Sequence, residues 1–188
     1  MNISYSPNGG PSKPDGFEPE RAGSRDLGSF CLTCASQGHT CCQGHDIYVT
    51  LGDCSRIQRF TGATQFFEYR GCSRAAYADQ DDDPVWRRHV FRADGSRRVL
   101  KQSVDHNCLF LQTAGCCLPL SARPLVCRLY PHLYSASGIA GVWDDECPAT
   151  RTQADPSIEQ GIAGVQFQQA VQWHRMLYNE IQWEASTK

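Results

Sequence analysis

The sequence predicts an α+β fold: a small, irregular, cysteine-stapled domain with short strands, a disordered N-terminal leader and a long C-terminal helix. Three observations carry that expectation. Eleven of the 188 residues are cysteine, close to 6% and several times ordinary usage. Ten prolines and sixteen glycines break the chain into short elements. One segment alone, near the C-terminus, keeps a helical apolar period over many residues. The length suits a single domain, and a 40% hydrophobic content makes its core lean.

The elements follow in order. Residues 1–29 are rich in Pro, Gly, Ser and charge, with almost no apolar pattern, and form the leader. Residues 30–150 form the cysteine-rich domain, and residues 151–188 the helical segment that packs on it. Ile47–Thr50 is a short strand, and Thr50 caps a helix from about Gly52 to Phe60 that ends at Gly62. "ATQFFEYRG" is expected as a second short helix, and "SRAAYADQDDDPVW" as a solvated acidic loop. "VWRRHVFRADGSRRVLKQSV" is expected as a hairpin about the turn pair Asp94-Gly95. "NCLFL" and "CCLPL" suggest two more strands around Ala114-Gly115. In "RPLVCRLYPH" Pro124 starts one or two helical turns that Pro131 closes. "GIAGVW" is a further strand. From Pro156 onward, Ile158, Ile162, Val165, Phe167, Val171, Trp173, Leu177 and Ile181 recur at roughly helical spacing, as in a helix covering the core.

Composition excludes some functions. A net charge of −2 and a pI near 6.3 supply no basic stripe for phosphates, so no nucleic-acid partner is expected. Apolar runs are too short to span a membrane. The opening "MNISYSPNGGPSKPDG" lacks the basic start and apolar core of a secretory signal, which points to the cytoplasm. In that reducing setting dense cysteines are expected as metal ligands or redox groups, and an odd total fits a closed disulfide framework poorly.

"CLTCASQGHTCC" opens the cysteine-rich region. Cys31 and Cys34 form a C-x-x-C knuckle of the kind that zinc and iron–sulfur sites use. Cys41 and Cys42 are adjacent and awkward as two ligands of one tetrahedral ion, so the motif needs thiols from elsewhere. Cys108, Cys116, Cys117, Cys127 and Cys147 are the downstream supply. Cys127 sits one turn into the Pro124 helix, where the helix field, Arg123 and Arg128 favour a thiolate. Cys54 is expected as a core residue on a helix face, and Cys72 and Cys116 as free rather than ligating. His39, His45 and His106 lie within or beside the cysteine segments as subsidiary ligand candidates, whereas His132 is expected at the surface.

"CLTCASQGHTCC", "NCLFLQTAGCCLPLSARPLVCRLYPH" and "DDECP" together resemble the CxxCxxCC family, the zinc- or iron-chelating domain of YkgJ-like cysteine-cluster proteins, over about residues 31–149. "RPLVCRLYP" is the most specific string. The resemblance implies a metal set of Cys31, Cys34, Cys41, Cys42, Cys108, Cys117, Cys127 and Cys147, with Arg123, Arg128 and Tyr130 beside it. It gives no counterpart to Cys54, Cys72 or Cys116, and the six-residue spacer after Cys34 is longer than the family name describes. Eight thiolates suit two four-thiolate sites or one polynuclear cluster. The function expected is metal binding, zinc or iron, with an iron–sulfur cluster as one form and the metal ion as the expected partner. The alternatives are an iron–sulfur redox protein, a cysteine-cluster module supporting an enzyme such as a methylase, and a metal storage or delivery protein. No catalytic residues are assigned: the chain has no glycine-rich cofactor loop and no cysteine–histidine pair with an orienting partner.

Overall fold

The computed structural model of the chain describes residues 34, 40–78, 80–142 and 167–186. The leader, Cys31, His39, Cys147 and the stretch 151–166 therefore lie outside the described residues. Within them the fold is α+β, with four α-helices and three pairs of short antiparallel strands.

Helix α1 (Leu51–Thr61) forms where its local signals predict. Thr50 accepts from the Asp53 N–H while Asp53 accepts from the Thr50 N–H, a reciprocal capping box, and Gly62 closes the helix at φ 70°. The next segment corrects the expectation of a second helix: Phe67–Arg70 is strand β1. Its aromatics alternate along an extended chain, and it pairs antiparallel with β2 (Arg97–Leu100), Phe67 opposite Leu100.

The hairpin expected about Asp94-Gly95 is half wrong. Its first arm is helix α2 (Pro84–Val90), and only the second arm is a strand. Asp83 caps α2 by accepting from the Trp86 N–H at 3.0 Å, Pro84 occupies its first turn, and Trp86 and Val90, four apart, face inward together. Asp83 is buried rather than solvated, and also accepts from the Ala136 N–H and the Tyr178 hydroxyl. The segment 47–50 lies along the other edge of β2 through an isolated Tyr48–Val99 bridge.

Strands β3 (Leu111–Gln112) and β4 (Gly115–Cys116) are a minimal hairpin, shorter than the two runs suggested. Helix α3 (Leu125–Leu129) follows Pro124, which serves as its N-cap. Strands β5 (His132–Ser135) and β6 (Gly138–Val142) form the last hairpin, and the first of them gave no sequence signal. His132 is a further correction: it is buried, and neither ring nitrogen has a hydrogen-bond partner. Helix α4 (Phe167–Ser186) packs on α1, α2, α3 and β6.

Two cores result. The first gathers Tyr48, Trp86, Val90, Leu125, Leu129, Trp173, Leu177, Tyr178 and Ile181 under α4. Each large apolar side chain fully buried there contributes about 1.5–3 kcal/mol. The second gathers Ile47, Val49, Ile57, Phe66, Leu100, Phe110 and Leu118 with Cys54 and Cys108. Segment 47–50 divides the two by strand alternation, with Tyr48 on one side and Ile47 and Val49 on the other.

Two carboxylates of α4 dock on the first turn of α1. Glu184 accepts from the Leu51 N–H and from Arg98 at 2.9 Å, and Glu180 accepts from the Thr50 hydroxyl and from Arg56 at 2.7 Å. Negative charge at a helix N-terminus is the favourable sign. Gly52 makes room for it, since a Cβ there would stand 2.3 Å from the Glu180 carboxylate. No helix among the described residues is long and apolar enough to cross a membrane.

Candidate metal centre

The backbone brings the two cysteine segments together before any side chain is considered. Gln43 and Asn107 form an isolated antiparallel bridge, with the Gly44 N–H donating to His106 O at 2.9 Å and the Cys108 N–H to Cys42 O at 2.7 Å. Positions 42 and 108, far apart in sequence, thereby become neighbours. Cys108 is buried in the second core, and Cys42, Cys116 and Cys127 pack against that core. The four thiols come from four places: the 40–44 loop, the 105–108 loop, β4 and α3.

Helix α3 is set in position by a residue of α1. Asp53, fully buried, accepts from the Leu125 N–H at 3.0 Å and from Arg56 at 2.7 Å through one oxygen, and caps α1 with the other. One carboxylate thus fixes the start of α1 and the start of the helix that carries Cys127.

The thiols interact electrically. A hydrogen bond from Cys108, then one from Cys41, holds Cys42 well below the ordinary thiol range, and Cys108, as the other member of that pair, is pushed up. Burial raises Cys116 to about 11, opposed by Arg123 and reinforced by Cys42. Burial also raises Cys127 well above its ordinary value, and Cys42 and Cys116 add to the rise. This departs from the expected thiolate at Cys127: desolvation and its thiol neighbours outweigh Arg123. Arg128 turns away instead, donating to Arg123 O at 2.8 Å and Ser121 O at 2.7 Å with its guanidinium 6.0 Å from the Trp173 ring. It braces the loop 118–123 against α4. Arg123 stays nearer the sulfurs, lowering Cys42, Cys116, Cys117 and Cys127, with its Nε held on Leu118 O at 2.9 Å. Tyr130 packs on the first core.

The remaining cysteines divide. Cys41 is exposed but reaches the Cys42 sulfur, and Cys34 is half-buried. Cys117 is exposed. Cys54 is a buried core residue beneath α1, as expected, with its thiol pushed up to about 12 by burial. Cys72 follows β1 and belongs to neither core. None of the nine described cysteines is in a disulfide. His45 is engaged through Nδ1 with the Tyr77 hydroxyl at 2.7 Å, and His106 lies in a turn at φ 58°. Among the described residues no three Cys, His, Asp or Glu side chains already stand in ligand geometry.

The residues present fit a thiophilic metal. Several buried thiols raise one another's proton affinity and share one nearby guanidinium, an arrangement that a cation bound to sulfur would relieve. An all-sulfur donor set is acceptable to zinc and to iron–sulfur clusters alike.

No curated protein and no solved structure matches the chain. The family model described as "putative zinc- or iron-chelating domain" matches residues 30–150, a span that takes in every cysteine of the sequence. The chain belongs to that family, CxxCxxCC.

Proposed function

We propose that the protein binds zinc or iron through thiolates drawn from both ends of the 30–150 domain, with 1–29 as a leader and α4 as its cover. The observation that supports this reading is the meeting of Cys42, Cys108 and Cys127 on one core, joined by backbone hydrogen bonds between distant segments. Of the rest of the resemblance-derived set, Cys31, Cys34, Cys41 and Cys147 supply further thiolates on this reading. Arg123 offsets thiolate charge and Arg128 keeps its loop in place. The bound metal supplies a strong thiolate-binding cation that closes a loop of more than sixty residues between Cys42 and Cys108. The setting proposed is the reducing cytoplasm, where the thiols stay available.

Elemental analysis together with an absorption spectrum, on protein prepared without oxygen, tests the proposal. Stoichiometric zinc without colour, or iron with a thiolate–iron band in the visible, is the expected result. The iron outcome also favours a redox role over a purely structural one. Metal-free protein that keeps its circular dichroism and melting temperature after chelator and reductant overturns the proposal.

A further inference from the structure

The family pattern aligns with Cys117 and leaves Cys116 without a role, yet the structure orders these neighbours the other way. Cys116 ends β4 opposite Leu111 and packs with Cys42 and Cys127 on the core that holds Cys108. Cys117 is exposed and stands outside that core, and its N–H is spent on Phe110 O at 2.9 Å. Adjacent residues of an extended chain point to opposite faces, so one of the two thiols faces inward and the other outward. Turning Cys117 inward would disturb the bond of its N–H to Phe110 O, which continues the β3–β4 pairing by one residue.

We propose that Cys116, and not Cys117, completes a four-thiolate set with Cys42, Cys108 and Cys127 for a thiophilic ion such as zinc or iron. The inference rests on the metal-binding reading above and assigns one of its ligands. Four sulfurs from four segments are what a closed tetrahedral site takes. The backbone brings three of the four into one neighbourhood, Cys42 and Cys108 by the backbone hydrogen bond between them and Cys116 by its register in the β3–β4 hairpin, and binding the ion draws the sulfurs into ligand geometry. Cys127 is placed by α3, whose first N–H Asp53 holds. Arg123 is bonded to the carbonyl two residues past Cys116, so a donor group stands beside the sulfurs without being able to ligate.

The test titrates cobalt(II) into the full-length, reduced, metal-free chain and into its C116S and C117S variants under anaerobic conditions. C117S is expected to keep the wild-type cobalt count and sulfur-to-cobalt absorption. C116S is expected to lose this site's cobalt, or to bind it more than about 100-fold more weakly, beyond the upper end of what losing an outer-shell partner costs. The reverse pattern, or equal loss in both variants, overturns the inference and leaves metal binding itself standing. A wild-type chain that takes up no cobalt overturns the metal-binding reading, and the inference with it. A second measurement does not depend on either variant folding: iodoacetamide labelling of the zinc-loaded wild type, mapped by mass spectrometry. Label on Cys117 with Cys116 protected supports the assignment, and label on Cys116 overturns it.

Discussion

The two cores share the 47–50 segment and helix α3 but are completed by different means. The core under α4 is aromatic and aliphatic, and the charges at its edge are matched: Arg98 with Glu184 at 2.9 Å, and Arg56 with both Asp53 and Glu180 at 2.7 Å. The other core turns a face of thiols inward on itself, where Cys42 raises Cys108, Cys116 and Cys127 and Arg123 offers the compensation. The lesson is that the first core is held by interactions the chain supplies, while on the metal-binding reading proposed above the second is completed by a charge it does not supply. Asp53 links them, capping α1 on one side and holding the first N–H of α3 on the other.

Removing that link is expected to have the largest effect. Asp53→Ala leaves Arg56 and the Leu125 and Thr50 N–H groups without their buried acceptor, and a loss of about 3–5 kcal/mol is expected in denaturant unfolding. Metal affinity should fall with it because Cys127 loses its placement. An Asp53→Ala chain that is stable yet binds metal normally would separate the two cores and break the comparison.

Gly52→Ala probes the α4 side. Its Cβ meets the Glu180 carboxylate at 2.3 Å, so the latch must shift, at a cost of about 1–3 kcal/mol with metal content unchanged. Thermal melts with parallel elemental analysis check both halves of that statement. Cys54→Ala probes the thiol side by removing a cysteine that packs without belonging to the ligand group. A loss of about 1 kcal/mol and an unchanged metal count are expected, and a lost metal equivalent would move Cys54 into the site.

The smallest effect expected is a pH dependence at His132. Burial lowers its pKa beneath the ordinary 6.5. The folded value being the lower one, the unfolded chain takes the proton first. Its contribution is therefore complete above about pH 6.5 and declines as pH falls below that value. In melts between about pH 5 and 7, His132→Leu should show a flatter dependence than wild type. Coincident slopes would remove His132 from the account.

How far the sequence could be read followed the range of the forces involved. Helix α1 was legible because Thr50, Asp53 and Gly62 fix it locally. Strand β1 was mistaken for a helix because its partner lies about thirty residues downstream, and nothing within "ATQFFEYRG" states that pairing. Helix α2 was mistaken for a strand although Asp83-Pro84 offered a start signal, since Val85, Trp86 and Val90 are residues strands also favour. The cysteine segments were legible as halves of one arrangement. Which of Cys116 and Cys117 faces inward was not, because that depends on hairpin register, and a shift of one residue exchanges the faces. The burial of Arg97, Arg98 and Glu184 was equally hidden, since each charge is tolerated inside only beside a partner that folding brings to it.

Amide hydrogen exchange on zinc-loaded protein, against the same protein reduced and treated with chelator, tests the difference between the cores most directly. Protection should fall on metal removal at Gly44, His106, Cys108, Leu111, Cys117 and Cys127, the amides that tie the thiol-bearing loops. The amides inside α1 and α4 should keep theirs. Loss spread evenly over both cores, or no loss at the cysteine loops, would contradict the claim that metal completes one core and not the other.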